Sequence, residues 1–136
     1  MSTSNLSFYK FFIIFLITGL YSYAQDINVE VLGGNNVSQG DVVAISAGNS
    51  ITFRITNTRT DCKKVKIEDI ILTNTTDFSI SSDKIPKNVD HEDCKGKTKH
   101  IDFVVTNTSG NCGASTDINI EVKKNPDFIF AFSISG

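Results

Sequence analysis

From Asp26 onward, apolar residues recur at every second position in short runs, and no stretch carries the three-to-four-residue spacing of an amphipathic helix. Ile27, Val29 and Val31 alternate with polar neighbours, as do Ile51, Phe53 and Ile55. Val65 and Ile67 continue the pattern, which then slips by one to Ile70 and Leu72. That slip predicts a β-bulge near Glu68-Asp69. Phe78 and Ile80, Ile101 to Val105, Ile118 to Val122, and Phe128 to Ile134 complete the series. Val43 and Ile45 form a shorter segment that falls below a full strand. Runs this short with one apolar face cannot stand alone, so about seven of them must pack as two antiparallel sheets, face to face. The Phe128, Phe130, Phe132 and Ile134 stripe is read as core rather than as a stacking platform for a ligand.

Length permits one domain and no more, at 136 residues. Thirteen basic against fifteen acidic residues give a net charge of -2, which removes the electrostatic case for a nucleic-acid binder. Residues 1–24 are set apart from the fold. A polar start ending at Lys10 precedes the apolar run Phe11 to Leu20, and Ser22-Tyr23-Ala24 puts small residues where a signal peptidase requires them. Ten apolar residues are too few for a membrane-spanning helix, which needs about 20. The expected organisation is therefore a signal peptide over 1–24 and a single domain over 25–136. The protein is expected to be secreted, periplasmic or on the cell surface, with no membrane span in the processed chain.

A sequence echo links two of the runs. Phe53-Arg54-Ile55-Thr56-Asn57-Thr58 precedes Cys62 by the same interval that separates Phe103-Val104-Val105-Thr106-Asn107-Thr108 from Cys112. Leu72-Thr73-Asn74-Thr75 is a shorter third copy. Each reads as a strand running into a turn whose Asn and Thr side chains bond nearby backbone, and two copies are too few for a repeat array. Asn36-Val37-Ser38, Asn74-Thr75-Thr76 and Asn107-Thr108-Ser109 match the glycosylation sequon and are read as surface turns.

Taken together, Asp26-Ile27-Asn28-Val29-Glu30-Val31, Val37-Ser38-Gln39-Gly40-Asp41, the Ser50–Thr58 strand, Asp77-Phe78-Ser79-Ile80 and the closing Phe130–Gly136 run resemble one family. It is the Hydin-like (abnormal-spindle type) immunoglobulin-like domain in its bacterial choice-of-anchor D form. The resemblance spans Asp26 to Gly136 and rests on strand patterns, so it implies an immunoglobulin-like β-sandwich more than an activity. Such domains are commonly modules of secreted or surface proteins. This sequence departs from them in its shortened stretch between Asp41 and Ser50 and in its three cysteines.

Export allows cysteines to pair, and three leave one over. In a seven-stranded immunoglobulin-like sandwich the strands alternate in direction, so successive connections alternate between its two ends. Cys62 follows the second expected strand and Cys94 the fourth, which places both at one end. Cys112 follows the fifth and falls at the other end. A disulfide spans at most about 7 Å between Cα atoms. A Cys62–Cys94 bond with a free Cys112 thiol is therefore expected.

Chemistry-bearing residues are few. Asp90-His91-Glu92-Asp93-Cys94, with His100 nearby, forms the one dense polar cluster. His91, Asp93 and His100 are of metal-ligating type, but their spacing matches no established ligand motif, and no calcium-binding loop is present. There is no G-x-S-x-G, and neither a cofactor nor a catalytic set is expected. Asp90, His91, Glu92 and Asp93 form the loop expected to meet a partner, a protein or glycan at the cell surface. Three readings follow: a non-enzymatic adhesion, scaffolding or interaction module; a carbohydrate-binding module; and a small metal-binding protein using the 90–100 loop. The second lacks sugar-stacking rings, since Trp is absent and Tyr9, Tyr21 and Tyr23 all precede residue 25. Intact mass of the exported protein is expected to begin at Gln25; a product retained in the cell and starting at Met1 would overturn the leader.

Overall fold

Alternating β-branched and aromatic residues favour extended backbone, and burying their common face requires a second sheet. The computed structural model describes residues 25–123 and 127–136, and the expected leader lies outside the described residues. Among them are ten strands: β1 (Ile27–Val31), β2 (Asn36–Val37), β3 (Val42–Ala44), β4 (Ser50–Asn57), β5 (Val65–Leu72), β6 (Phe78–Ser82), β7 (Lys87–Val89), β8 (His100–Asn107), β9 (Ser115–Lys123) and β10 (Phe128–Ser135). Sheet one runs β2-β1-β4-β8-β6 and sheet two β3-β10-β9-β5-β7. The protein is thus an all-β sandwich of two five-stranded sheets. All seven expected strands are present, and β2, β3 and β7 are short additions. Val42–Ala44 does form a strand, and it pairs with the end of β10 in parallel rather than antiparallel fashion.

The inner faces meet in one core. Phe53, Phe78, Phe103, Phe130 and Phe132 are buried with the inward Ile and Val of both sheets. Phe53 stacks on Phe103 with centroids 5.1 Å apart, and Phe132 of sheet two tilts onto Phe53 at 5.2 Å. Burying each of these side chains contributes about 1.5–3 kcal/mol relative to exposing it. The expected bulge is present: β5 loses register against β9 between Ile67 and Asp69, so Ile67 and Ile70 both point inward despite their three-residue spacing.

The echo is more than a local likeness of strand exits. Phe53 pairs directly with Phe103 across β4 and β8, and Ile70 pairs directly with Ile120 across β5 and β9. In each sheet one pair of residues 50 apart thus faces across the two central strands, the register of a local two-fold between them. A two-fold axis of this orientation exchanges the two ends of the sandwich, so Cys112, 50 residues after Cys62, lies at the far end.

Between Ser82 and Lys87 the chain leaves sheet one for sheet two. β4 is antiparallel to β8, and the 58–64 connection turns the chain back from β4 into β5, so β8 and β5 run the same way. β6 and β7, antiparallel to them, therefore share a direction on either side of residues 83–86. That continuity preserves the alternation of ends behind the disulfide expectation, even with β7 added.

Inward and outward positions along β8 give opposite expectations for mutation. Phe103 is 0% exposed, while Val104 lies half-buried on the outer face. Phe103→Ala is expected to cost about 3–5 kcal/mol, close to the whole stability of such a domain. Val104→Thr is expected to stay within about 0.5 kcal/mol. Chemical denaturation of both variants checks the pair, and equal losses would contradict the burial pattern.

Candidate functional site

At one end of the sandwich the chain builds a tethered loop. Cys62 lies in the 58–64 connection between the sheets, with its backbone in the left-handed region at φ 57°. It is disulfide-bonded to Cys94, Cα to Cα 5.5 Å, as the order of strands requires. The bond ties the 90–99 loop to the end of β4. Asn57, the last residue of β4, fastens the same corner. Its Nδ2 donates to the carbonyls of Lys63 and Val89, each at 2.9 Å, and its Oδ1 accepts from Arg59 N–H at 2.8 Å. Asn57 also forms an isolated parallel bridge with His91. Arg59 binds Asp61 and Asp26, and its guanidinium pushes the Asp61 carboxyl down to about 2. A lowered carboxyl favours the fold above its ordinary range, so this exposed pair is lost only as pH falls toward about 2.

Inside the loop, Asp90 N–H donates to Thr98 O at 2.7 Å. Lys99 Nζ turns inward and donates to the His91 carbonyl at 2.9 Å and to the Cys94 carbonyl. His91 Nδ1 accepts from Asp93 N–H at 3.2 Å, which assigns the neutral ring's proton to Nε2. Asp90 is not offered to a partner. It is 5% exposed, its carboxylate lies against Gly96, and Lys64 Nζ approaches it at 3.6 Å. A Cβ on Gly96 would fall 2.1 Å from Asp90 Cγ, so only glycine fits there. Of the expected contact residues, Glu92 and Asp93 are exposed and His91 is half-buried.

The loop forms one wall of a groove of about 610 Å³ whose floor is the outer face of sheet one. Strand pairing lays the floor in rows: Glu30 beside Arg54 beside Asp102, then Asn28 beside Thr56 beside His100. Arg54 binds Asp102 through two parallel bonds, Nε at 2.8 Å and Nη2 at 2.9 Å. Those bonds, ahead of the charge itself, hold the Asp102 carboxyl below its usual range and raise Arg54 above its own. Since Arg54 is engaged with Asp102 and Lys99 with the loop carbonyls, the groove presents mainly acceptors. These are the carboxylates of Glu30, Glu92 and Asp93 and the hydroxyl of Thr56, with the His91 and His100 rings beside them.

His91, Asp93 and His100 thus border one groove without converging on a point. Among the described residues no group of three or more His, Cys, Asp or Glu side chains is arranged to hold a metal ion. Cys94 is oxidised and supplies no nucleophile to His91. Cys112 is free and exposed at the opposite end. No helix among the described residues is long and apolar enough to cross a membrane. Five of the six phenylalanines after residue 25 are buried and Phe128 is half-buried, so none forms an open stacking face. Of the sequons, Asn36 is exposed and Asn74 lies in a turn, where its Oδ1 accepts from Thr76 and Asp77 N–H. Asn107 departs from the surface reading: it is 0% exposed and points inward. Sequence reasoning missed the floor of the groove, because Glu30, Arg54 and His100 are neighbours only once β1, β4 and β8 are known to adjoin.

Comparison with protein-family models, with curated proteins and with solved structures gives no match for the chain.

The loop depends on its tether and on the glycine. Opening Cys62–Cys94, which closes 32 residues, is expected to cost about 3–4 kcal/mol by the loss of a chain-entropy constraint. Denaturant midpoints of the oxidised and reduced protein measure it. Gly96→Ala is expected to speed amide exchange in 90–99 and leave β4 and β8 protected; unchanged exchange in the loop would contradict the Asp90–Gly96 contact.

Proposed function

We propose that the protein is a secreted or cell-surface, non-enzymatic immunoglobulin-like module of the Hydin-like, choice-of-anchor D kind, used for adhesion, scaffolding or protein interaction. The observation that carries this reading is the groove: a polar, carboxylate-rich channel fixed on one side by paired strands and on the other by a disulfide-tethered loop. A rigid scaffold that holds a loop beside a concave polar surface is how sandwich domains present a binding site. The reading is supported by the disulfide, which suits an oxidising compartment, and by the oxidised state of the one cysteine that adjoins a histidine. An excess of acceptors favours a partner rich in donors, either the hydroxyls of a glycan or the basic and amide groups of a protein.

Charge reversal on the loop tests it. Glu92→Lys with Asp93→Lys alters two exposed residues and leaves Asp90 and the disulfide in place. Binding of the wild-type protein to arrayed glycans and to proteins of the host cell surface is expected to weaken at least about tenfold in this variant, given how steeply association follows complementary charge. A partner held equally by both proteins would place the site elsewhere. Multiple-turnover chemistry on a bound ligand would overturn the non-enzymatic reading.

A further inference from the structure

The outermost strands of a sheet carry unpaired N–H and C=O groups, which are ready templates for another chain. Among the described residues, three of the four outermost strands are short: β2 has two residues, β3 and β7 three each. β6 is different. It runs five residues, Phe78-Ser79-Ile80-Ser81-Ser82, with no charge, proline or bulge within it. Natural edges are usually guarded by one of these devices.

The bonds at its two ends show which backbone groups are open. Thr108 N–H donates to Asp77 O at 2.8 Å, and Asp83 N–H donates to Asp102 O at 3.2 Å. Successive residues of a strand direct their backbone groups to alternate sides, so Asp77, Ser79, Ser81 and Asp83 turn theirs toward β8. The N–H and C=O of Phe78, Ile80 and Ser82 turn away from the sheet. Phe78 is buried and Ile80 half-buried, so packing holds this edge in place before any partner arrives.

We propose that the β6 edge is a strand-addition site for an extended segment of a partner protein, five uncharged residues long and flanked at both ends by Lys or Arg. Backbone pairing supplies the affinity and the flanks supply the selection. Asp77 and Asp83 bracket the strand on its outer face. Asp77 is held by neutral groups, the Asn74 amide at 2.9 Å and the Asn111 amide at 3.2 Å, and so keeps its charge. Asp83 is 46% exposed and receives Lys87 Nζ at 3.4 Å. An antiparallel strand covering all five residues sets its two flanking residues opposite these carboxylates, where opposite charges stabilise a sheet. A second copy of the chain is the wrong occupant. Two β6 strands paired over their full length set Ile80 against Ile80 and each Asp77 against the other copy's Asp83. Like charges directly opposite destabilise a sheet. The site is separate from the groove, because β6 and β1 lie on opposite sides of the central β4-β8 pair.

The test titrates an end-blocked peptide, Lys-Val-Thr-Val-Thr-Val-Lys, into isotope-labelled protein carrying Cys112→Ser, with backbone amides followed by magnetic resonance. Its three valines fall opposite Phe78, Ile80 and Ser82. Saturable binding is expected, with exchange of the Phe78, Ile80 and Ser82 amides slowed roughly tenfold or more. The same peptide with Glu flanks is expected to bind about threefold to thirtyfold more weakly, the range that two cross-strand charge pairs span. Asp77→Asn with Asp83→Asn should bring the two peptides to equal affinity. Three results would overturn the proposal: no protection at these amides, equal binding of both peptides to the chain with its aspartates intact, or self-association of that chain through β6.

Discussion

Phe53 stacked on Phe103 fixes the register on which the remaining structure depends. A slip of one residue between β4 and β8 would turn the inner face of one strand to solvent, either Phe103 with Ile101 and Val105 or Phe53 with Ile55, so the core admits a single alignment. The outer face inherits that alignment. Arg54 meets Asp102, and Thr56 meets His100, because the rings beneath are matched. In sheet two the facing pair Ile70 and Ile120 imposes the same constraint, with the bulge at Glu68 absorbing the residue that would otherwise push Ile67 outward. The floor of the groove is therefore a by-product of how the core is packed.

The local two-fold makes the differences between the two ends informative. Asn57 and Asn107 occupy equivalent positions, and both are buried. Asn57 Nδ2 joins the carbonyls of Lys63 and Val89, knitting β4 of sheet one to β7 of sheet two. Asn107 Nδ2 finds no acceptor among the described residues, and its Oδ1 receives only the Ser109 hydroxyl, at 3.4 Å. Cys62 has its disulfide and Cys112 has none. One end carries the disulfide-tethered 90–99 loop and the other the 108–114 loop with its free Cys112, so the two ends differ within a similar frame.

What could be read along the chain is what lies along the chain. Alternation revealed the inner faces of β1, β4, β5, β6, β8, β9 and β10, because burial on one side of a strand leaves a period of two. The same alternation continues through Asn57 and Asn107, each two residues beyond the last inward aliphatic, yet their polarity disguised them as surface turns. β2 and β7 left no trace, since two or three paired residues carry no period and exist only through the strands they join. By charge alone, Asp90 belongs with Glu92 and Asp93. Its burial follows from Gly96, six residues on, an approach no local pattern encodes. Strand direction sufficed to pair the cysteines, whereas the groove needed strand order as well.

One feature of the connectivity reaches beyond the site. β6 pairs in sheet one and β7, four residues further on, in sheet two, so this stretch of chain is divided between the layers. Layers joined only by side-chain contact can slide or separate in turn. Here only residues 83–86 join β6 to β7, so moving the sheets apart beyond the reach of that short connection unpairs β6 from β8 or β7 from β5. Separation of the layers is thereby coupled to the loss of an edge strand from one of them.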